Sequence, residues 1–169
     1  MFLKDFWPAL EATPVGQYIQ ASTWAFPTLE CLHVVSIVTV IGTIVVMDLR
    51  LLGVASKQIP VTAIERDTLR LTWGAFVVAM ITGGLLFVSK AVDYMVNPFF
   101  LSKMALIFLA GVNMAVFHVF TWPGVGKWDS DRAVPLAGRI AAGLSLGLWV
   151  TVVFVARAIG FTLDKYSNS

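Results

Sequence analysis

The sequence predicts an all-α integral membrane protein: a polytopic bundle of four transmembrane helices with an N-terminal interfacial segment. Three observations predict it. Of 169 residues, 58% are hydrophobic and only 13% are charged, about half the ~25% charge of soluble domains. Mean hydropathy is +0.83. The apolar residues gather into four runs of about 20 residues or more, the length that crosses ~30 Å of hydrocarbon at 1.5 Å per residue. These runs use more than half of the chain and leave no room for a separate catalytic domain.

The first 22 residues read as an interfacial segment. Lys4 and Asp5 interrupt the start, and Pro8 and Pro14 break the apolar run, so no secretory signal core forms. Phe2, Phe6, Trp7 and Leu10 lie among polar neighbours, as in a helix lying on a membrane surface. Residues 23–163 form one four-helix domain, and 164–169 a C-terminal tail.

The expected spans are 24–49, 71–90, 99–121 and 136–162. The first is rich in β-branched residues, which favour strand in water. In lipid the backbone must satisfy its own hydrogen bonds, so a lone run of this length is helical. Pro27 suits its first turn, where no N–H is needed, and Asn97-Pro98 caps and opens the third span. Gly143 and Gly147 are spaced for close helix approach, and Gly42, Gly83, Gly84 and Gly111 fall within other spans. Asn113 should hydrogen-bond across the bundle. Asp48 and Arg50 are two residues apart, do not face each other, and should each pair with another helix end.

The basic residues set an orientation. Arg50, Lys57, Arg66, Arg70, Lys127, Arg132 and Arg139 lie on one side, against Lys4, Lys90, Lys103, Arg157 and Lys165 on the other. The first group belongs in the cytoplasm, which places both termini outside. Net charge of +2 and the absence of a basic run or stacking platform exclude nucleic acid as a partner. The single cysteine, Cys31, excludes an intrachain disulfide and a Cys-based cluster. No H-E-x-x-H, Walker loop, G-x-G-x-x-G or G-x-S-x-G occurs, which sets aside hydrolases and nucleotide-driven enzymes. No internal repeat suggests an inverted-repeat transporter.

Ionisable residues inside a span mark a site or an ion pair. Glu30 and His33, an i, i+3 pair, lie roughly 10 Å or less from the outer end of the first span at 1.5 Å per residue. Lys103 and Arg157 lie at similar depth, with Lys90, Asp93 and Tyr94 just above. One polar layer near the outer face therefore draws on all four spans. His118 lies roughly 20 Å deeper by the same rise, so the two histidines cannot ligate one haem within a protomer. Met104 shares its depth with His33, and Met47 with His118; His/Met pairs are known haem ligands. A ferritin-like di-iron site would need a second Glu-x-x-His.

At these residues the chain resembles a family of uncharacterised four-helix bacterial inner-membrane proteins, known as a domain of unknown function. The matching residues are Trp24, Pro27, Glu30, His33 and Gly42, then Asp48 through Gly53. Thr82-Gly83, Phe87, Tyr94, Asn97-Pro98-Phe99, Lys103, Asn113 and His118 follow in order. The likeness covers about residues 22–121 and implies a bacterial inner membrane. The family is loosely similar in layout to CopD-type copper-resistance proteins and b-type cytochrome membrane subunits, which implies metal or haem handling.

Three functions are expected to compete. The first is a redox protein with haem b at His33, its propionates met by Lys103 and Arg157, Tyr94 nearby, and a second haem near His118. The second is binding or transport of copper or another metal ion by Glu30, His33 and Met104, with His118 a further candidate ligand. The third is a non-catalytic subunit of a larger membrane complex or a homo-oligomer, with no cofactor, its polar layer serving helix packing.

Overall fold

The computed structural model describes residues 2–130 and 133–167, and the side chains of 5–130 and 133–163. Arg132 and the side chains of Phe2, Lys4 and Lys165, used in the sequence reading, lie outside that set. Among the described residues every regular element is helical: α1 Phe2–Glu11, α2 Pro14–Ala21, α3 Ala25–Leu51, α4 Val61–Ser89, α5 Ala91–Val96, α6 Pro98–Val116 and α7 Leu136–Ser167. A π turn, Phe117–Thr121, and a 3-10 turn, Trp122–Lys127, extend α6. Counting that extension, four helices are long and apolar enough to cross a membrane. Only 11–17% of their most apolar windows is buried inside the protein. Large side chains such as Val35, Met80, Phe108 and Phe154 are exposed. A lipid bilayer is the solvent that such a surface requires.

Two boundaries differ from expectation. The second membrane helix begins at Val61, ten residues before the expected 71. Hydropathy finds only the apolar stretch, whereas the backbone helix continues through Glu65-Arg66-Asp67, residues that tolerate helix well once outside hydrocarbon. At the other end α7 runs to Ser167, through most of the expected tail. Pro8 sits inside α1, and Pro14 opens α2. Thr13 joins the two helices: its hydroxyl donates to the Leu10 carbonyl at 2.7 Å and accepts from the Gly16 amide at 3.3 Å.

The membrane helices pack as two antiparallel pairs, α3 with α4 and α6 with α7, joined chiefly where α3 meets α7. Val40, Ala110, Trp149 and Val152 form the mid-bundle core. Polar ties add register. Thr72 donates to Thr43 at 2.8 Å between α4 and α3, and Asn113 donates to the Ala141 carbonyl at 2.9 Å between α6 and α7, as expected for that residue. Asn97, fully buried, accepts from the Phe99 amide at 2.9 Å and donates to Thr162 at 3.1 Å, capping α6 and holding it to α7.

The two ends of the bundle are built differently. At the upper end, α1 packs on α5 and α2 on α4 and α3. At the lower end, Leu51, Val61, Phe117, Trp128, Val134 and Ala142 form a second core beneath the two connecting loops. Gly53, at φ +71°, turns the chain sharply out of α3, a conformation cheap only for glycine.

Candidate functional site

Tyr94, Phe87 and Phe100 bring α5, α4 and α6 together at the upper end. The Phe87 and Phe100 rings stack at 5.5 Å with 13° between their planes, and Tyr94 lies 5.1 Å from Phe100. Trp7 of α1 meets Phe87 edge-on at 5.8 Å. The Tyr94 phenol is pushed above its usual pKa by burial, then by the carboxylates of Glu30 and Asp93. It stays a neutral donor across the physiological range.

His33 lies under this aromatic layer and turns into α4. Its Nδ1 is 3.0 Å from the Ala79 carbonyl and 3.1 Å from Thr82 Oγ1. Thr82 spends its own proton on the Val78 carbonyl at 2.7 Å, so both neighbours accept. Nδ1 therefore carries the proton, and in the neutral ring Nε2 keeps a free lone pair. Gly83 makes this seat possible. A Cβ there would stand 2.8 Å from His33 Cε1, closer than packed atoms allow. Thr82-Gly83 is thus a receptacle for the His33 ring, a role the sequence reading did not give it.

Of the expected layer, the structure gathers His33, Lys103, Glu30 and Tyr94 within electrostatic reach of one another in pairs: Lys103 with His33, and Glu30 with Tyr94. Lys103 Nζ lies 5.1 Å from the Phe100 ring centre. Glu30 is exposed while His33 is half-buried, so the i, i+3 pair does not close on one point. Arg157 stands on the exposed face of α7, its guanidinium 4.5 Å from the Phe161 ring, and no described contact joins it to His33 or Lys103. Met104 is 41% exposed. Among the described residues, no group of three or more His, Cys, Asp or Glu could hold a metal ion. Cys31 is exposed.

His118 is at the lower end and exposed, with Nδ1 2.9 Å from the Met114 carbonyl of its own helix. A carbonyl can only accept, so His118 too holds its proton on Nδ1. Trp122 lies 5.7 Å from it.

The lower end also holds Arg50 and Asp48. Buried Arg50 donates from Nε to the Ile59 carbonyl at 2.7 Å and from Nη2 to the Asp129 carbonyl at 3.0 Å. The Asp129 carboxylate accepts from the Thr62 amide at 2.9 Å and the Thr62 hydroxyl at 2.7 Å, capping the start of α4. Burial works to raise the Asp129 pKa. The Thr62 amide and hydroxyl, the Val61 amide and the Arg50 charge outweigh it and hold the carboxyl below its usual range. Arg50 thus pairs with loop backbone, near the expected helix-end partner. Asp48 is buried, with Oδ2 lacking any hydrogen-bond partner. That orphaned oxygen was not visible in the sequence, where Asp48 read as an anchor like Arg50.

No curated protein and no solved structure matches the chain. A family model does match, over residues 13–162, which include α2 through α6 whole and most of α7. The chain belongs to that family of unknown function, DUF6644.

Proposed function

We propose that this is a membrane redox-cofactor protein that holds haem b at His33, near the outer face of a bacterial inner membrane, for electron transfer. One observation carries the reading: His33 Nδ1 donates to the Ala79 carbonyl and leaves Nε2 unprotonated. Ligating histidines are held in this way, because a hydrogen bond from the far nitrogen fixes the tautomer and the ring plane. The surrounding residues suit the group. Lys103 supplies a positive charge for a propionate, and the stacked Phe87 and Phe100 rings form an apolar wall beside it. Haem, when bound, supplies one-electron chemistry. Bound there, it would be held through His33 Nε2, with the Lys103 charge beside it to shift its potential.

His118 has the same tautomer but faces outward. A second haem there would be bounded by lipid or by another protein surface. Arg157, on the far side of α7, drops from the propionate set. Copper is the weaker alternative, because among the described residues no three His, Cys, Asp or Glu gather to hold it.

The test is an absorption spectrum of the purified protein, oxidised and reduced, with iron and copper analysis of the same sample. A Soret band and a reduced α band that vanish in His33→Ala are expected. Unchanged absorbance in both His33→Ala and His118→Ala would overturn the proposal. A second reading has its own observation: both described partners of His33 lie on α4, so the ring also serves as a clamp between helices. A packing subunit of a larger membrane complex would purify with partner proteins and without a chromophore.

A further inference from the structure

Two cavities at the upper end differ in chemistry and adjoin. One, about 560 Å³, is lined by Glu11, Gln20, Ser22, Phe26, Lys90 and Asp93 among others. The second, about 450 Å³, is a groove whose walls include Val15, Ile19, Ala25, Leu29 and Leu85. Ser22 lines both. A charged chamber opening into an apolar groove has the form of an amphiphile, with room for a head at one end and a tail at the other.

The charges of the chamber narrow the head group. Lys90 shares the cavity with two carboxylates, yet no ion pair joins it to either; the one ion pair among the described residues is Arg66 with Asp67. Lys90 Nζ lies instead 5.4 Å from the Phe26 ring centre. The acceptors are only partly used. One Glu11 oxygen takes the Val92 amide at 2.7 Å, and Gln20 donates its amide to the Ser89 carbonyl, leaving its own carbonyl oxygen free. A cation and several acceptors that face one cavity without neutralising each other are complementary to a guest that carries both signs.

We propose that the two cavities form one binding site for a zwitterionic phospholipid with a primary amine. Its phosphate sits against Lys90, its ammonium among Glu11, Gln20 and Asp93, and an acyl chain lies along the groove between α2 and α3. The lipid would join the interfacial helices to the membrane bundle at the level where head groups lie. The site stands apart from His33 and is independent of the haem reading.

Native mass spectrometry of the purified full chain tests it, with phosphatidylethanolamine, phosphatidylcholine and phosphatidylglycerol of identical acyl chains offered in competition. One phosphatidylethanolamine should be retained about fivefold or more over either rival, because choline has no N–H to donate and glycerol brings no positive charge. Lys90→Gln and Asp93→Asn should each abolish the preference. Thr28→Trp, which fills the groove without touching the chamber, should weaken retention of all three lipids. Equal retention of the three by the native chain, retention of none, or variants that behave as the native chain would overturn the proposal. Displacement of the lipid by soluble glycerophosphoethanolamine at equal concentration would overturn the part assigned to the groove.

Discussion

The two ends of this bundle use the same kinds of residue to opposite effect. At the lower end Arg50, Asp129 and Thr62 spend their polar atoms on one another and on loop carbonyls, over a core of Leu51, Val61, Phe117 and Trp128. At the upper end Lys90 lies against the Phe26 ring and Lys103 against the Phe100 ring, and among the described residues no ion pair joins either to Glu11, Glu30 or Asp93. Buried polar groups stabilise when their hydrogen bonds are complete and are costly when they are not. The lower end therefore reads as an anchor, whereas the upper end leaves its charges unneutralised by one another, as the two proposals above require. Asp48 is the exception that the lower end must explain.

The contrast is broken most directly at Arg50. Arg50→Ala removes two hydrogen bonds made by a buried guanidinium and leaves the Ile59 and Asp129 carbonyls without that donor. Loss of about 3 kcal/mol of stability is expected, measured by denaturant titration in detergent. Lys90→Ala, at the upper end, should cost less than ~1 kcal/mol in the same assay, as an unpaired, partly exposed cation does. Equal losses would remove the distinction between the ends.

Gly83→Ala sharpens the comparison within the upper end. The added methyl would meet His33 Cε1 at 2.8 Å, so the ring must leave its seat and surrender its bonds to Ala79 and Thr82. A cost of about 2 kcal/mol is expected from overpacking. If His33 carries a haem, the Soret band should shift or fall in this variant, while Gly84→Ala, in open space one residue along, should leave both stability and spectrum unchanged.

The sequence carried the architecture because length and hydropathy act in bulk: a run such as Val34–Val46 has no stable exposed state in water. It carried the caps for the same local reason, as at Asn97-Pro98. It also found the polar layer, since a charge at any depth in hydrocarbon is conspicuous. Facing was beyond its reach. Arg157 and Lys103 share a depth, yet Arg157 stands exposed on α7 while the Lys103 charge reaches His33, and only the packing of α6 and α7 decides that. Gly83 read as generic helix packing because a glycine in sequence does not say whose side chain fills the space. Asp129 was overlooked because a carboxylate in a polar loop has no pattern until the start of α4 is placed beside it; Asp129 preceding Val61-Thr62 in space, not in sequence, makes it a cap.

That cap gives the lower end a pH dependence. The folded Asp129 carboxyl titrates below its unfolded value, so its contribution is fully present above about pH 3.9 and is lost as pH falls through the folded pKa. Melting temperatures between pH 6 and 3 should therefore fall more for the native chain than for Asp129→Ala. At neutral pH the variant should cost about 1 kcal/mol, the usual worth of a helix cap. Parallel curves would mean that Thr62 is capped well enough by solvent.

Asp48→Asn should have the smallest effect, and its sign matters more than its size. Asp48 lies in the saturated half of the molecule with Oδ2 buried and unpartnered, so a charge there lacks part of the hydrogen bonding that would justify burying it. If the lower end is purely an anchor, the neutral isostere should leave stability unchanged or raise it by up to ~1 kcal/mol, as chemical denaturation would show. A loss comparable to that of Arg50→Ala would mean that Asp48 belongs to the anchoring network after all. A stability gain accompanied by lost function in cells would place a working carboxylate at the lower end, and the division between an anchoring end and a binding end would then give way to two sites on opposite faces of the membrane.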